Sequence, residues 1–181
     1  PAENPLFQPG APVISSGLKQ GVLGGFSPPL IEQNRLTVAG MLREKGYRTA
    51  CVGKWHLGLE WGKTGPIVEA PNFGDTKGID YAAPFKGGPC DHGFDYFFGI
   101  SGSLDMPPYV YLENDRVTQL PDHETGNSDE MKYWRKGPTA PDFKHEQVLP
   151  KVTEKALEII ENWADGPFFL YFPLPAPHTP I

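Results

Sequence analysis

Lys54 and His56 stand two residues apart around Trp55, and a second histidine, His178, is held between Pro177 and the Thr179-Pro180 pair. Proline on both sides fixes the backbone direction at low entropic cost, so this imidazole is carried by a stiff loop. A fixed ammonium beside imidazoles suits a tetrahedral oxyanion. A sulfuryl or phosphoryl group in transfer needs its oxygens neutralised and its leaving oxygen protonated, and Lys and His can share that work at neutral pH. A histidine beside a strand end is also commonly a hydrogen-bonded structural residue, and spacing alone leaves both readings open.

The elements that must position these residues follow one grammar, used twice. Thr37 can cap a short helix in which Val38, Met41 and Leu42 recur at i, i+3 and i+4, with Gly46 at its carboxyl end. After the Gly46-Tyr47 turn, Arg48 to Gly53 carries the β-branched and small residues of a short buried strand and runs straight into Lys54-Trp-His-Leu-Gly58. A second helix is predicted from about Pro150 to Ala164, where Val152, Ala156, Ile159, Ile160 and Trp163 form one apolar stripe and Pro150 suits a first-turn position. Asp165-Gly166 closes it, Pro167 to Phe172 is a fully apolar strand, and the loop with His178 follows. Helix, turn, buried strand, twice over, implies parallel strands in an α/β layer, whose ligands bind beyond the strand carboxyl ends. His56 and His178 both fall there.

Between these units the chain is broken by Gly and Pro. Pro1 to Pro29 reads as an extended surface segment, and Leu59 to Gly88 as a surface excursion without a long regular element. The aromatic run Phe94 to Ile100 suits a buried strand, followed by a loop over Ser101 to Pro108, an edge strand over Tyr109 to Glu113 and a turn at Asn114-Asp115. Gln119 to Lys144 is polar and irregular, a surface loop by the same reasoning.

Composition narrows the function classes. The 181 residues suffice for one core, and the expectation is a single domain. Although 21 Gly and 21 Pro demand many loops, 39% hydrophobic residues are too many for a disordered chain. A formal net charge of −6 without a Lys/Arg cluster argues against nucleic acid or an anionic membrane as partner. The longest apolar runs, such as Phe168 to Phe172, are too short to span a bilayer. Cys51 and Cys90 lack the spacing of a zinc or redox motif, and no Asn-x-Ser/Thr acceptor occurs.

The longest informative stretch, Thr37-Val-Ala-Gly-Met-Leu-Arg-Glu-Lys-Gly-Tyr-Arg-Thr-Ala-Cys-Val-Gly-Lys-Trp-His-Leu-Gly58, resembles the second signature of the type I sulfatases. Asp91-His-Gly-Phe-Asp-Tyr-Phe-Phe-Gly99 and Phe169-Leu-Tyr-Phe-Pro-Leu-Pro-Ala-Pro-His-Thr-Pro180 are similar to two further segments of that family in the same order. The likeness runs from about Gly21 to Ile181 and is weaker over the first twenty residues. It implies the central portion of an alkaline-phosphatase-like α/β/α sandwich, a single partial catalytic domain over residues 1–181 with some strands of the sheet absent. Unpaired sheet edges and exposed apolar faces are then expected, with the rest of the sulfatase domain as physical partner.

By the same resemblance, Lys54 contacts a sulfate oxygen, and His56 sits beside a formylglycine nucleophile and helps break down a covalent sulfate intermediate. His178 binds the sulfate and assists the leaving alcohol. Ser103, in Gly99-Ile-Ser-Gly-Ser-Leu-Asp105, is similar to a family serine near the nucleophile, and Asp105 is a candidate substrate contact. The expected reaction is hydrolysis of a small-molecule or carbohydrate sulfate ester to alcohol and sulfate. The alternatives are a phosphodiesterase or phosphonate monoester hydrolase on the same scaffold, or a non-catalytic anion-binding relative. Two departures stand against a self-sufficient enzyme. The family nucleophile arises from Cys or Ser in Cys/Ser-x-Pro/Ala-x-Arg, and neither Cys51-Val-Gly-Lys-Trp nor Cys90-Asp-His-Gly-Phe fits it. Family calcium is held by paired aspartates near the amino terminus and an Asp-Asn pair after the last segment seen here, both outside this chain. The chain is therefore expected to be an internal fragment, inactive alone, with no metal ligand of its own; a periplasmic, secreted or lysosomal location is implied only by the resemblance.

The other conspicuous residues have plainer readings. His92, His123 and His145 are expected to be structural or solvated, Trp55 and Trp61 to be packing, and the Phe94 to Phe98 run to be core.

Overall fold

A computed structural model describes residues 23–69, 76–129 and 132–178, with the side chains of 66–69 and 76–77 excepted. Most of the segment expected to be extended over Pro1 to Pro29 lies outside the described residues.

Helix α1 (Val38–Glu44) begins where Thr37 signals it: the Thr37 hydroxyl oxygen accepts from Gly40 N–H at 2.9 Å. That hydroxyl also donates to the His92 carbonyl at 2.6 Å, tying the helix start to a distant turn. Gly46, at φ +84°, makes the left-handed exit. The expected apolar stripe does not face the core. Val38 and Met41 are exposed and only Ala39 is buried, because the short helix packs on β1 through its small residues.

Strand β1 (Arg48–Lys54) is buried over its five central residues, as its continuous apolar character requires of a strand covered on both faces. It pairs in parallel with β4 (Tyr96–Ile100) on one side and with β9 (Phe168–Tyr171) on the other. Two short antiparallel strands, β5 (Leu112–Glu113) and β6 (Arg116–Val117), extend the sheet to the order β6-β5-β4-β1-β9. The parallel centre is the arrangement the repeated grammar implies. The turn at Asn114 holds, with the residue in the left-handed region at φ 54° and its side-chain oxygen accepting from Phe97 N–H at 3.1 Å. Tyr109, Val110 and Tyr111 are fully buried, but in this sheet only Leu112 and Glu113 pair while Tyr109 bridges Thr139, so β5 is shorter than expected and β6 takes the edge.

Helix α2 (His145–Asn162) starts five residues earlier than the prediction, and Pro150 lies inside it rather than in its first turn. The proline removes one backbone donor near the amino end, opposite Glu146, an exposed residue. Val148, Val152, Ala156 and Ile159 form the buried face against β1 and β4, while Ile160 is exposed. Arg48 closes the far end: its guanidinium donates to the Trp163 carbonyl at 2.9 Å, pairs with Asp165 and lies over the Trp163 ring, a cation where the helix dipole favours one.

Two further corrections concern the segments read as loops. Residues 59–88 contain an antiparallel hairpin, β2 (Lys63–Glu69) with β3 (Thr76–Ile79), and bury Leu59, Trp61 and Phe85 in the core. Residues 119–144 contain another, β7 (His123–Asn127) with β8 (Trp134–Thr139). Gly and Pro at bends mask strand alternation, and pairing with a partner overrides the weak local preference. Strand β9, expected to be buried, is a half-exposed edge: Phe169 and Tyr171 both stack on Phe94, yet Tyr171 remains exposed.

Candidate active site

The site forms where the carboxyl ends of β1, β4 and β9 come together. Lys54 N–H donates to the Pro173 carbonyl at 2.8 Å, Trp55 N–H to Ile100 at 3.0 Å, and His56 N–H to Ser101 at 3.1 Å. The close approach depends on glycine. Gly53 adopts φ +129°, and a Cβ there would fall against the Pro173 carbonyl; a Cβ at Gly99 would fall against the Gly53 carbonyl. Behind the Lys-Trp-His turn, Trp55 is buried, donates to the Gly58 carbonyl at 3.1 Å and stacks on the buried His92 ring. Trp55 is packing, as expected, and of the two readings open for His92 the structural one applies, since its ring is buried.

His56 takes a left-handed backbone conformation, φ 52°, which aims its ring between two partners. Nε2 lies 2.6 Å from the Leu23 carbonyl and Nδ1 lies 3.3 Å from the Ser103 hydroxyl. A carbonyl can only accept, so Nε2 carries the proton, and neutral His56 offers Nδ1 as acceptor to Ser103. Its pKa is lowered from the ordinary value, chiefly by burial; the Leu23 carbonyl opposes this, Lys54 adds to it, Asp105 opposes it and His178 adds to it. Lys54, Asp105 and His178 are thus near enough to act on this imidazole. Ser103 is buried beside it.

Asp105 is buried too, and its Oδ2 lies 2.5 Å from Arg135 Nη1. The same guanidinium nitrogen donates to the Asp105 carbonyl at 3.1 Å, as does the Arg135 N–H at 3.1 Å. His178 Nδ1 stands 3.9 Å from Asp105 Oδ1. All five residues singled out in the sequence therefore gather in one region, linked by these contacts and fields. Arg135 is the member that sequence reasoning missed. It sits on β8, in a stretch read as loop, and nothing in Tyr133-Trp-Arg-Lys136 marks it as a partner of a residue thirty positions earlier.

The remaining titratable groups fall elsewhere. Cys51 is buried and its thiol pushed far up by burial; burial and three nearby aspartates push Cys90 up to about 11. Neither thiol supplies a thiolate nucleophile at neutral pH. His145 stacks on Trp134 at 4.0 Å, burial holding it down to about 4, and His123 pairs with Asp122 on the surface. Among the described residues, no group of three or more His, Cys, Asp or Glu side chains could hold a metal ion. Calcium takes about six to eight oxygen ligands, so the described residues do not fit one. Among the same residues, no helix is long and apolar enough to cross a membrane.

A sheet with a parallel centre that places an ammonium, two imidazoles and a clamped carboxylate near its strand ends is chemically suited to a tetrahedral oxyanion. The sulfatase family profile matches residues 11–181, and the chain belongs to that family. It is 28% identical over 194 residues to an N-acetylgalactosamine-6-O-sulfatase of Bacteroides thetaiotaomicron, covering 88% of this chain and 35% of the relative. It is 31% identical over 192 residues to arylsulfatase G of Canis lupus familiaris, covering 91% of this chain and 30% of the relative. A solved structure described under the metabolism of multiple glycosaminoglycans by Bacteroides thetaiotaomicron superposes with a TM-score of 0.66 at 28% identity, over 88% of this chain and 38% of that one. The fold is thus alkaline-phosphatase-like, as in that neighbour. The chain spans about a third of the length of these relatives. Calcium is general to the family.

Proposed function

We propose that this chain supplies the anion-gripping and proton-handling side chains of a sulfate monoester hydrolase, and that the nucleophile and calcium ligands come from residues outside these 181. The carrying observation is the convergence of Lys54, His56 and His178 beyond the ends of β1 and β9, with His56 locked between the Leu23 carbonyl and Ser103.

In the net reaction an S–O bond of the ester breaks, water gives its hydroxyl to sulfur and its proton to the alcohol. Lys54 neutralises a sulfate oxygen, which matters most as charge builds on the transferring group. His178 contacts the sulfate and protonates the leaving oxygen. His56, neutral and with Nδ1 turned to Ser103, stands on the nucleophile's side and takes up a proton when the covalent sulfate is released. Asp105 stands between His178 and Arg135. The substrate is a carbohydrate or small-molecule sulfate ester; the names of the relatives favour a sulfated aminosugar.

The test is hydrolysis of a chromogenic aryl sulfate by the full-length gene product with calcium, beside His178→Ala and the 181-residue chain alone. Activity that falls by about 100-fold to 10,000-fold in the variant and is absent from the 181 residues is expected. A full-length protein inactive on sulfate esters and active on phosphodiesters overturns the reading.

A further inference from the structure

The Asp105 carboxylate is anchored at one end and unfinished at the other. Arg135 holds Oδ2 at 2.5 Å and grips the Asp105 backbone carbonyl twice, through Nη1 and through its own N–H. Oδ1 is buried without a hydrogen bond. A buried carboxylate oxygen left in that state is costly to desolvate, so its persistence asks for a use. The side chain facing it is His178, with Nδ1 at 3.9 Å, just beyond hydrogen-bond reach. Residues from three separate elements meet here: the loop after β4, strand β8, and the Pro-rich loop after β9.

We infer that Asp105 is a positioning residue for His178 rather than a substrate contact, with Arg135 as the clamp that fixes the carboxylate. The inference rests on the sulfatase reading of His178. Turning Nδ1 to Asp105 makes the opposite nitrogen, Nε2, the one presented to the ester. As the nucleophile bonds to sulfur, the ester S–O bond breaks with its electron pair on the ester oxygen, the proton on Nε2 moves to that oxygen, and the alcohol leaves neutral. The proton that the nucleophile sheds on bonding to sulfur replaces it on the imidazole by way of solvent. The carboxylate stabilises the protonated ring before transfer and holds its direction throughout, the role an acid's orienting partner plays in many hydrolases. Arg135 suits the clamp because a planar guanidinium can meet a side-chain oxygen and a backbone carbonyl together, which a lysine ammonium does less well.

The role is separable from a structural one by the leaving group. A nitrophenolate departs without help, whereas an alkoxide needs its proton. The full-length, calcium-loaded protein is assayed as wild type, Asp105→Asn, Arg135→Met and Arg135→Lys on 4-nitrophenyl sulfate and on a sugar 6-sulfate. Asp105→Asn lowers kcat on the sugar sulfate by about 100-fold or more and on the aryl ester by less than about 10-fold. Arg135→Met moves the same ratio in the same direction, and Arg135→Lys restores part of it. Equal losses on both esters, or a rise in KM alone, overturn the inference and return Asp105 to packing or to direct substrate contact. If Asp105→Asn does not fold, the ratio in Arg135→Lys decides by the same criterion. A wild type that hydrolyses neither ester overturns the sulfatase reading itself, an outcome distinct from equal losses in an active enzyme.

Discussion

The turn that follows β1 and the β7–β8 hairpin both reach Asp105's neighbourhood, but they arrive by different means. Lys54, Trp55 and His56 are placed by consecutive residues of one strand end, through backbone bonds to Pro173, Ile100 and Ser101. Arg135 is placed by a hairpin whose own ladder is irregular and which leans on the body through Trp134 against His145 and Tyr109 N–H donating to the Pro138 carbonyl at 2.8 Å. The first is a rigid corner in the parallel core, and the second is a strap whose position depends on side-chain stacking. On the proposed reading, Lys54 and His56 handle charge from the corner, while Arg135, which only aims another residue, can sit on the strap.

The sharpest way to break this contrast is Gly53→Ala. A Cβ at φ +129° is strained and would fall against the Pro173 carbonyl, so β1 and the loop after β9 cannot keep their spacing. A loss of about 3 kcal/mol or more in stability is expected, with activity lost together, read by denaturant unfolding of the full-length protein. A Gly53→Ala protein as stable and active as wild type would show that the corner is not rigid.

The strap is tested by acid. His145 is half-buried and neutral under Trp134, with Tyr109 and Phe143 also against its ring, and that burial holds it down to about 4 against an ordinary 6.5. In the unfolded chain it takes up a proton near its ordinary value; in the folded chain it resists. Its contribution is therefore complete above 6.5 and is lost as pH falls from there toward about 4. Since the ring is only partly buried, the loss is about 2 kcal/mol rather than the full equivalent of the shift. Thermal midpoints at pH 7 and pH 4.5 are expected to lie farther apart in wild type than in His145→Phe. Equal pH sensitivity in the two would remove His145 as the acid-labile seat of the strap.

The same contrast decides what was legible in the sequence. The corner was readable because its determinants are consecutive: a helix cap, a β-branched strand, glycine where backbones touch, then Lys-Trp-His. The parallel pairing followed from the repetition of that unit. The hairpins were not readable, since Gly65, Pro66, Gly126, Gly137 and Pro138 break the alternation that marks a strand, and pairing across the hairpin supplies the order that local preference lacks. Arg135 was hidden for the same reason. The stripe of α1 misled in a third way: Val38 and Met41 have helical spacing, but the face that packs on β1 is the one with Ala39.

Thr37 is the smallest test and the one that joins the corner to its support. Its hydroxyl accepts from Gly40 N–H and donates to the His92 carbonyl, so one side chain caps α1 and pins the turn that carries His92 beneath Trp55. Replacing it by valine keeps the shape and removes both bonds, leaving one helix amide and one partly buried carbonyl short of a partner. The expected cost is about 1 kcal/mol, the usual worth of a cap, with kcat changed by less than about threefold because Trp55 remains held by Gly58. Thr37→Ser restores both bonds and should recover most of the stability. A Thr37→Val protein that keeps its stability but loses activity would mean that the Thr37–His92 tie sets the position of the Lys54-Trp55-His56 turn directly, and that the corner is not rigid by its backbone bonds alone.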